Sequence, residues 1–146
     1  PYTTLFRSAL PALMRSEKVQ HRAAKVGFDY PSGAMALDDL ASELDELREA
    51  VAENAAAHID EELGDLLFAA VNAAAFLQKD PEQTLHRACE KFIRRFGAME
   101  SAARQAGRSL DELSREELLS LWSAQKTGQT EGAVKTETTI GKEELS

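Results

Sequence analysis

Apolar residues recur along this chain at intervals of three or four positions, the spacing that places them on one side of an α-helix. Leu40, Leu44, Leu47 and Val51 form one such stripe, and we expect stripes of this kind to pack in the core. Few β-branched residues occur in the centre of the chain, which also favours helices over strands. The pattern predicts helices over residues 9–26, 36–53, 57–78 and 81–105, and a short last helix over 114–122.

Turn residues and helix-start signals separate these predicted helices. The stretch from Gly27 to Gly33 is predicted to be a loop, and Asp80-Pro81 has the composition of a helix start. Ser114 and Glu117 have the spacing of a capping box. We therefore expect an all-α bundle of about four to five helices over residues 9–127. Residues 1–8 are predicted to be a linker or non-native segment, and the polar residues 128–146 a disordered tail.

Length and charge narrow the class of protein. At 146 residues the chain is long enough for one domain with a hydrophobic core. Its net charge of −8 argues against nucleic acid or an anionic membrane as the main partner. The single cysteine, Cys89, excludes an intrachain disulfide and fits a reducing cytoplasm. Because the sequence begins at Pro1 rather than Met, we expect a fragment of a longer protein.

Two acidic pairs carry the most specific chemical signal. Glu43 and Glu46 lie three residues apart, as do Glu62 and Asp65, so on helices the carboxylates of each pair share a face. Both pairs are equidistant from Asn54, where we expect the chain to reverse between two antiparallel helices. Four converging carboxylates repel unless a cation binds them, and oxygen ligands favour Mg²⁺ or Mn²⁺. For either pair taken alone, the alternative is a solvated helix face.

A basic cluster follows on the predicted fourth helix. Lys91 lies three and four residues before Arg94 and Arg95, so the three side chains are neighbours on the helix surface. Such a cluster suits phosphate groups, and the flanking Phe92 and Phe96 are expected to bury the opposite side of the helix. A solvated basic face and pairing with the carboxylates are the alternatives.

Three further residues have two interpretations each. Asn72 lies seven residues after Asp65 on the same predicted helix face, and is either a substrate ligand or a structural amide. Gly64 in mid-helix indicates close approach of another helix or of a ligand. Trp122 either stacks on a base or docks the last helix on the core. The histidines are unclustered and are interpreted as surface or cap residues.

Taken together, these residues resemble the all-α nucleoside triphosphate pyrophosphohydrolases of the MazG type. The resemblance covers about residues 10–126 and is greatest to the second, catalytic repeat of two-repeat bacterial proteins of this family. It rests on the two acidic pairs and on matching stretches at residues 10–15, 22–29, 61–68 and 90–96. Because only one repeat is present, the resemblance supports the expectation of a fragment.

The resemblance implies a Mg²⁺-dependent homodimer that converts a (d)NTP and water to a (d)NMP and pyrophosphate. It implies that Mg²⁺ is held by the four acids Glu43, Glu46, Glu62 and Asp65. Family members often carry Lys where this chain has Asp39 and His58, and Glu where it has Ser42. The substrate-side positions implied are His58, Glu61, Asn72, Lys91, Arg94, Arg95 and, against the nucleoside, Trp122.

A mechanism follows from these expectations. Glu61 or Glu46 is the expected acceptor of the proton of the attacking water, and Lys91 and Arg95 are expected to stabilise charge on the leaving pyrophosphate. Two alternatives remain. One is a phosphoribosyl-ATP or dUTP-type pyrophosphatase on the same fold, and the other is a non-catalytic helical interaction module with solvated acids.

Overall fold

A computed structural model describes the backbone of residues 10–140 and the side chains of residues 10–127. This described part of the chain is all-helical, which confirms the predicted fold class. The chain divides into two compact units at His86 and Arg87, inside the fourth helix. The helices are α1 (Ala12–Ala24), α2 (Gly33–Ala52), α3 (Ala56–Phe76), α4 (Pro81–Gln105) and α5 (Arg115–Ile140), with a 3₁₀ turn (Leu110–Glu112) before α5.

The first four helices each end at a residue with left-handed backbone geometry. At these ends a backbone N–H reaches back five residues to a carbonyl of the last turn, for example from Ala55 to Ala50, so that exposed carbonyls gain partners. Two of the left-handed residues are not glycine, which is why the sequence marks those ends weakly. The four residues and their φ angles are Gly27 (83°), Asn54 (53°), Gln78 (55°) and Gly107 (72°).

Helix starts follow the predicted capping signals. The Asp80 carboxylate accepts a hydrogen bond from the backbone N–H of Gln83 at 2.9 Å. Ser114 and Glu117 form the predicted capping box, with the Ser114 N–H donating to Glu117 at 2.8 Å and the Glu117 N–H donating to Ser114 at 3.2 Å. Arg108 also contacts Glu117 at 2.6 Å, and these hydrogen bonds lower the pKa of Glu117 to about 2.

Of the boundaries predicted at the two ends of the chain, only the end of the last helix lies within the described residues. Helix α5 continues to Ile140, which is farther than the short helix through Trp122 that the pattern predicts. The ordered boundary at residue 127 and the tail from Gly128 stay predictions. The predicted segment 1–8 and the last residues, 141–146, lie outside the described residues.

The core is built mainly from small side chains, and here the predicted stripes are partly wrong. Leu40 and Leu47 are half-buried, but Leu44 and Val51 of the same stripe are exposed, because the apolar side of α2 is wider than its contact with other helices. Phe92 and Phe96 are likewise exposed rather than buried. The buried apolar residues are Ala36, Ala50, Ala69, Val71 and Ala73 in the first unit and Met99 and Ala103 in the second.

The small core residues allow the helices of the first unit to pack closely. Helix α3 packs against α2 along its length and also contacts α1. Gln20 of α1 donates a hydrogen bond to the carbonyl of Phe68 in α3 at 2.8 Å. A Cβ at Gly64 would meet no atom within 4 Å, so close approach of another described helix does not explain this glycine. No helix in the described part of the chain has both the length and the apolar content needed to cross a membrane.

Two glycines of the second unit give a matched test of the helix geometry. Both Gly97 and Gly107 have open space where a Cβ would lie, but only Gly107 has a positive φ. Gly97→Ala should raise the free energy of unfolding by about 0.5–1 kcal/mol, because alanine loses less backbone entropy in a helix. Gly107→Ala should lower it by about 1–2 kcal/mol, because a Cβ is strained in the left-handed region. Urea unfolding of both variants measures this, and equal effects would contradict the assigned end of α4.

Candidate metal centre

The reversal at Asn54 brings acids from two helices to one place. Helices α2 and α3 are joined by only Glu53, Asn54 and Ala55, so they run antiparallel as a helical hairpin. Residues equally far from the turn therefore lie at similar heights. One carboxylate oxygen each from Glu43, Glu62 and Asp65 lies within 4.8 Å of the other two. Three of the four predicted ligands thus converge.

Glu62 is the most constrained member of this acid cluster, which we define as Glu43, Glu62 and Asp65. Glu62 is only 7% exposed. One oxygen, Oε1, lies 2.9 Å from Nε2 of His58, one turn earlier on α3. The other oxygen, Oε2, is buried and has no hydrogen-bond partner. Because a buried carboxylate oxygen without a partner is unfavourable, this atom indicates a place for a cation.

Glu43, on α2, has a raised pKa. Burial raises the pKa of Glu43 above its ordinary value, and the negative charges of Glu46, Asp39, Asp65 and Glu62 raise it further. A cation among these carboxylates would favour the charged form of Glu43 and would so oppose the effects of burial and of the neighbouring charges on its pKa. The donors are oxygens only, and hard cations such as Mg²⁺ and Mn²⁺ prefer such ligands, so the acid cluster fits the implied metal.

Glu46 does not join the acid cluster, which corrects the expectation of four converging carboxylates. Its side chain is exposed, and its Oε1 accepts a hydrogen bond from the hydroxyl of Ser42 at 3.4 Å. Glu46 is still close enough to Glu43 for its negative charge to raise the Glu43 pKa, so Glu46 lies beside the acid cluster rather than within it. The roles of Glu46 as a ligand or a proton acceptor stay predictions.

His58 has contacts that the sequence analysis does not predict. It is exposed, as its interpretation as a surface histidine expects, but its Nε2 lies 2.9 Å from Oε1 of the buried Glu62 and its Nδ1 lies 3.7 Å from Oε2 of Glu53. Its implied place on the substrate side stays a prediction. The spacing of four residues between His58 and Glu62 is the signal that could have identified this pair. His58 is therefore placed to orient Glu62 so that Oε2 points away from the imidazole.

A cavity of about 670 Å³ opens beside the acid cluster in the first unit. Glu43 and Asp65 line it together with the half-buried Asn72, so the structure brings the predicted amide close to two of the acids. Glu61 is exposed on α3. No described contact assigns Glu61 a partner in the acid cluster, and its role stays a prediction.

The remaining predicted site residues belong to the second unit. Lys91 and Arg94 are exposed on α4, whereas Arg95 is half-buried with its guanidinium carbon 5.8 Å from the centre of the Trp122 ring. Trp122 also packs against Phe92, with ring centres 5.2 Å apart. Within this unit Trp122 thus contacts side chains of α4, as the docking interpretation expects, and its contact with a base stays a prediction.

Comparison with known proteins gives the same family as the sequence motifs. Residues 32–98 match the family model described as the MazG nucleotide pyrophosphohydrolase domain. The chain is 39% identical over 119 residues to the nucleoside triphosphate pyrophosphohydrolase/pyrophosphatase MazG of Thermotoga maritima, a match that covers 82% of this chain. It is also 39% identical over 122 residues to the nucleoside triphosphate pyrophosphohydrolase of Escherichia coli K12, covering 81% of this chain.

These matches cover unequal shares of the proteins compared. The chain spans about half the length of the curated relatives it matches, 46% of each of the two named above. An uncharacterised protein of Bacillus subtilis is 42% identical over 65 residues, which is 44% of this chain and 13% of that protein. The matched region contains α2, α3 and all three acids of the cluster, so this part of the chain is similar to the MazG nucleotide pyrophosphohydrolase domain.

Proposed function

We propose that this chain is a Mg²⁺-dependent nucleoside triphosphate pyrophosphohydrolase, which converts a (d)NTP and water to a (d)NMP and pyrophosphate. The observation that carries the proposal is the acid cluster, in which three carboxylates from two helices meet and Glu62 Oε2 is buried without a partner. The names of the Thermotoga and Escherichia relatives support the same reaction.

Glu43, Glu62 and Asp65 would hold the metal, with Mn²⁺ as a possible substitute for Mg²⁺ and Glu46 as a further proposed ligand. When bound, Mg²⁺ would neutralise phosphate charge and make a water molecule more acidic. The phosphate chain carries negative charge, and the acid cluster alone would repel it. The metal therefore makes a substrate of this charge compatible with a site built from carboxylates.

The chain's own residues would supply the other steps. Glu61 or Glu46 would accept a proton from the attacking water, because a carboxylate next to the reacting water is a competent base. Lys91 and Arg95 would bind the phosphates and stabilise charge on the leaving pyrophosphate, with Arg94 as a further phosphate contact. His58 would keep Glu62 in its ligating orientation, and Asn72 would contact the substrate.

The direct test is pyrophosphate release from a panel of canonical and modified nucleoside triphosphates, with and without Mg²⁺. Release that requires Mg²⁺ supports the proposal. The panel should contain dUTP and phosphoribosyl-ATP, since turnover of only one of these would instead support the corresponding alternative activity. Absence of turnover together with absence of Mg²⁺ binding would support the non-catalytic helical module.

Glu62→Gln should remove the link between Mg²⁺ and stability. A ligand present at 100 times its dissociation constant stabilises the folded state by about 2.7 kcal/mol, so Mg²⁺ should raise the melting temperature of the wild type. The variant keeps the shape of the side chain but loses its charge, and it should lose most of that increase together with turnover. Asp60→Asn is the matched control, since Asp60 is an exposed acid of the same helix outside the cluster. Equal Mg²⁺-induced shifts in wild type and Glu62→Gln would show that Glu62 is not a ligand.

Lys91→Ala and Arg95→Ala should weaken all nucleoside triphosphates by a similar factor, because the proposed contacts are with phosphate. A charge-assisted contact contributes about 1.5–3 kcal/mol, so kcat/KM should fall about 10- to 150-fold for each substitution. Arg104→Ala, an exposed basic residue on the same helix, is the control. The phosphate role is contradicted by a fall in kcat/KM for one base only, or by a fall as large in the control.

We further propose that the protein is a homodimer with nucleoside triphosphates as its ligands and without a nucleic-acid or membrane partner. Large apolar side chains are exposed on several helices, and Leu67 of α3 is 62% exposed. Sedimentation should show a dimer that Leu67→Lys weakens, whereas a monomeric wild type would contradict the proposal. A cytoplasmic location, which the single cysteine favours, stays a prediction.

A further inference from the structure

An ion pair joins the connection after α4 to the start of α5. Helix α4 ends at Gln105, and Arg108 follows directly after the left-handed Gly107. The Nη1 atom of Arg108 lies 2.6 Å from Oε1 of Glu117, in the first turn of α5, and its Nη2 lies 3.5 Å from Oε2 of the same carboxylate. A guanidinium that faces both oxygens of a carboxylate fixes direction as well as distance. The Arg108–Glu117 ion pair therefore restrains the direction in which α5 leaves the connection.

Hydrogen bonds to the backbone add to this restraint at both partners. Nη2 of Arg108 also donates to the carbonyl of Glu112, and Oε2 of Glu117 accepts from the N–H of Ser114 at 2.8 Å. The contact with Arg108 and then that with Ser114 lower the pKa of Glu117 to about 2, so its carboxylate is charged at neutral pH. The two side chains of the ion pair are 41% and 44% exposed, and ion pairs of this kind contribute little to stability. The ion pair is therefore better suited to orienting α5 than to stabilising the fold.

The orientation of α5 matters because of Trp122, five residues after Glu117. The Trp122 ring packs against Phe92 with ring centres 5.2 Å apart, and the guanidinium carbon of Arg95 lies 5.8 Å from its centre. Among the α5 side chains that the structure describes, residues 115–127, none is fully buried and the least exposed are half-buried. A helix with so little buried apolar surface is fixed weakly by its own packing. A restraint at its first turn therefore has a larger share in setting where Trp122 lies.

We propose that Arg108 and Glu117 are positioning residues, which hold the start of α5 so that Trp122 stays against Arg95. The inference rests on the proposed function for one step only, namely that Arg95 contacts the phosphates of the substrate. A guanidinium over an indole ring has fewer directions open to it, because the cation is attracted to the face of the ring. Arg95 thus meets the phosphates already oriented, and less side-chain freedom is lost on binding.

Fluorescence tests this positioning without any substrate, because Trp122 is the only tryptophan of the chain. Glu117→Gln keeps the shape of the side chain and removes the charge that Arg108 contacts. The emission of Trp122 should move to longer wavelength, and its quenching by acrylamide should increase, because the ring loses contacts with α4 and meets water. Glu116→Gln is the matched control, since Glu116 is an exposed acid in the same first turn and has a similar effect on the helix dipole.

Two fluorescence results would overturn the inference: unchanged emission and quenching in Glu117→Gln, or an equal change in Glu116→Gln. Circular dichroism shows whether each variant is folded. If Glu117→Gln is not, Arg108→Lys takes its place, since this milder change keeps the charge and loses the contact with both carboxylate oxygens. Arg108→Lys should change the emission in the same direction by a smaller amount, and no change would again overturn the inference.

Kinetics test whether Arg108 acts through Trp122. Arg108→Ala should lower kcat/KM for nucleoside triphosphates roughly 3- to 30-fold, which lies within the range of coupling measured between residues of one network. In a Trp122→Ala background the same substitution should have no further effect, because the ring that Arg108 positions is gone. A structural role unconnected with Trp122 would lower kcat/KM by the same factor in both backgrounds, and that result would overturn the inference.

The outcomes separate this inference from the proposed function. If the emission of Trp122 changes as expected but no triphosphate releases pyrophosphate, the proposed reaction fails, and the positioning of Trp122 by the ion pair stands. If triphosphates are hydrolysed and the emission is the same in wild type and Glu117→Gln, the positioning fails and the proposed reaction stands.

Discussion

Burial of the Glu62 carboxylate is the constraint on which the rest of the site depends. The carboxylate is held between α2 and α3 with one oxygen on His58 and the other without a partner. Such an arrangement is unfavourable for the protein alone, because Glu43 and Asp65 lie close by and a half-satisfied buried charge costs several kcal/mol. A divalent cation bound among the three acids would remove both penalties together. Metal binding and the stability of the hairpin are therefore expected to be linked.

The geometry that allows this cluster begins with the connection between the two helices. Asn54 adopts a left-handed conformation that ends α2 after Ala52, and α3 begins at Ala56. The short connection fixes the register of one helix against the other, and alanines such as Ala50 and Ala69 let the backbones approach. Larger residues at these positions would separate the carboxylates. The same choice of small core residues leaves leucines such as Leu67 outside the core.

Much of the fold could be predicted from sequence, because helix starts and apolar spacing are local signals. Ser114 with Glu117, Asp80 and the reversal at Asn54 all appear in the structure where the sequence places them. The direction of individual side chains is not local information. Glu46 satisfies the spacing rule and still turns to Ser42, and Leu44 belongs to an apolar stripe and is still exposed, because neighbouring helices decide which part of a face is covered.

The charge of the acid cluster limits how this site could bind a nucleotide. One oxygen each of Glu43, Glu62 and Asp65 lies within 4.8 Å of the other two, and three carboxylates this close would repel a phosphate chain. A divalent cation among them would offset most of this negative charge and would itself attract phosphate oxygens. Affinity for the metal and affinity for a phosphate ligand are therefore expected to be coupled in this chain.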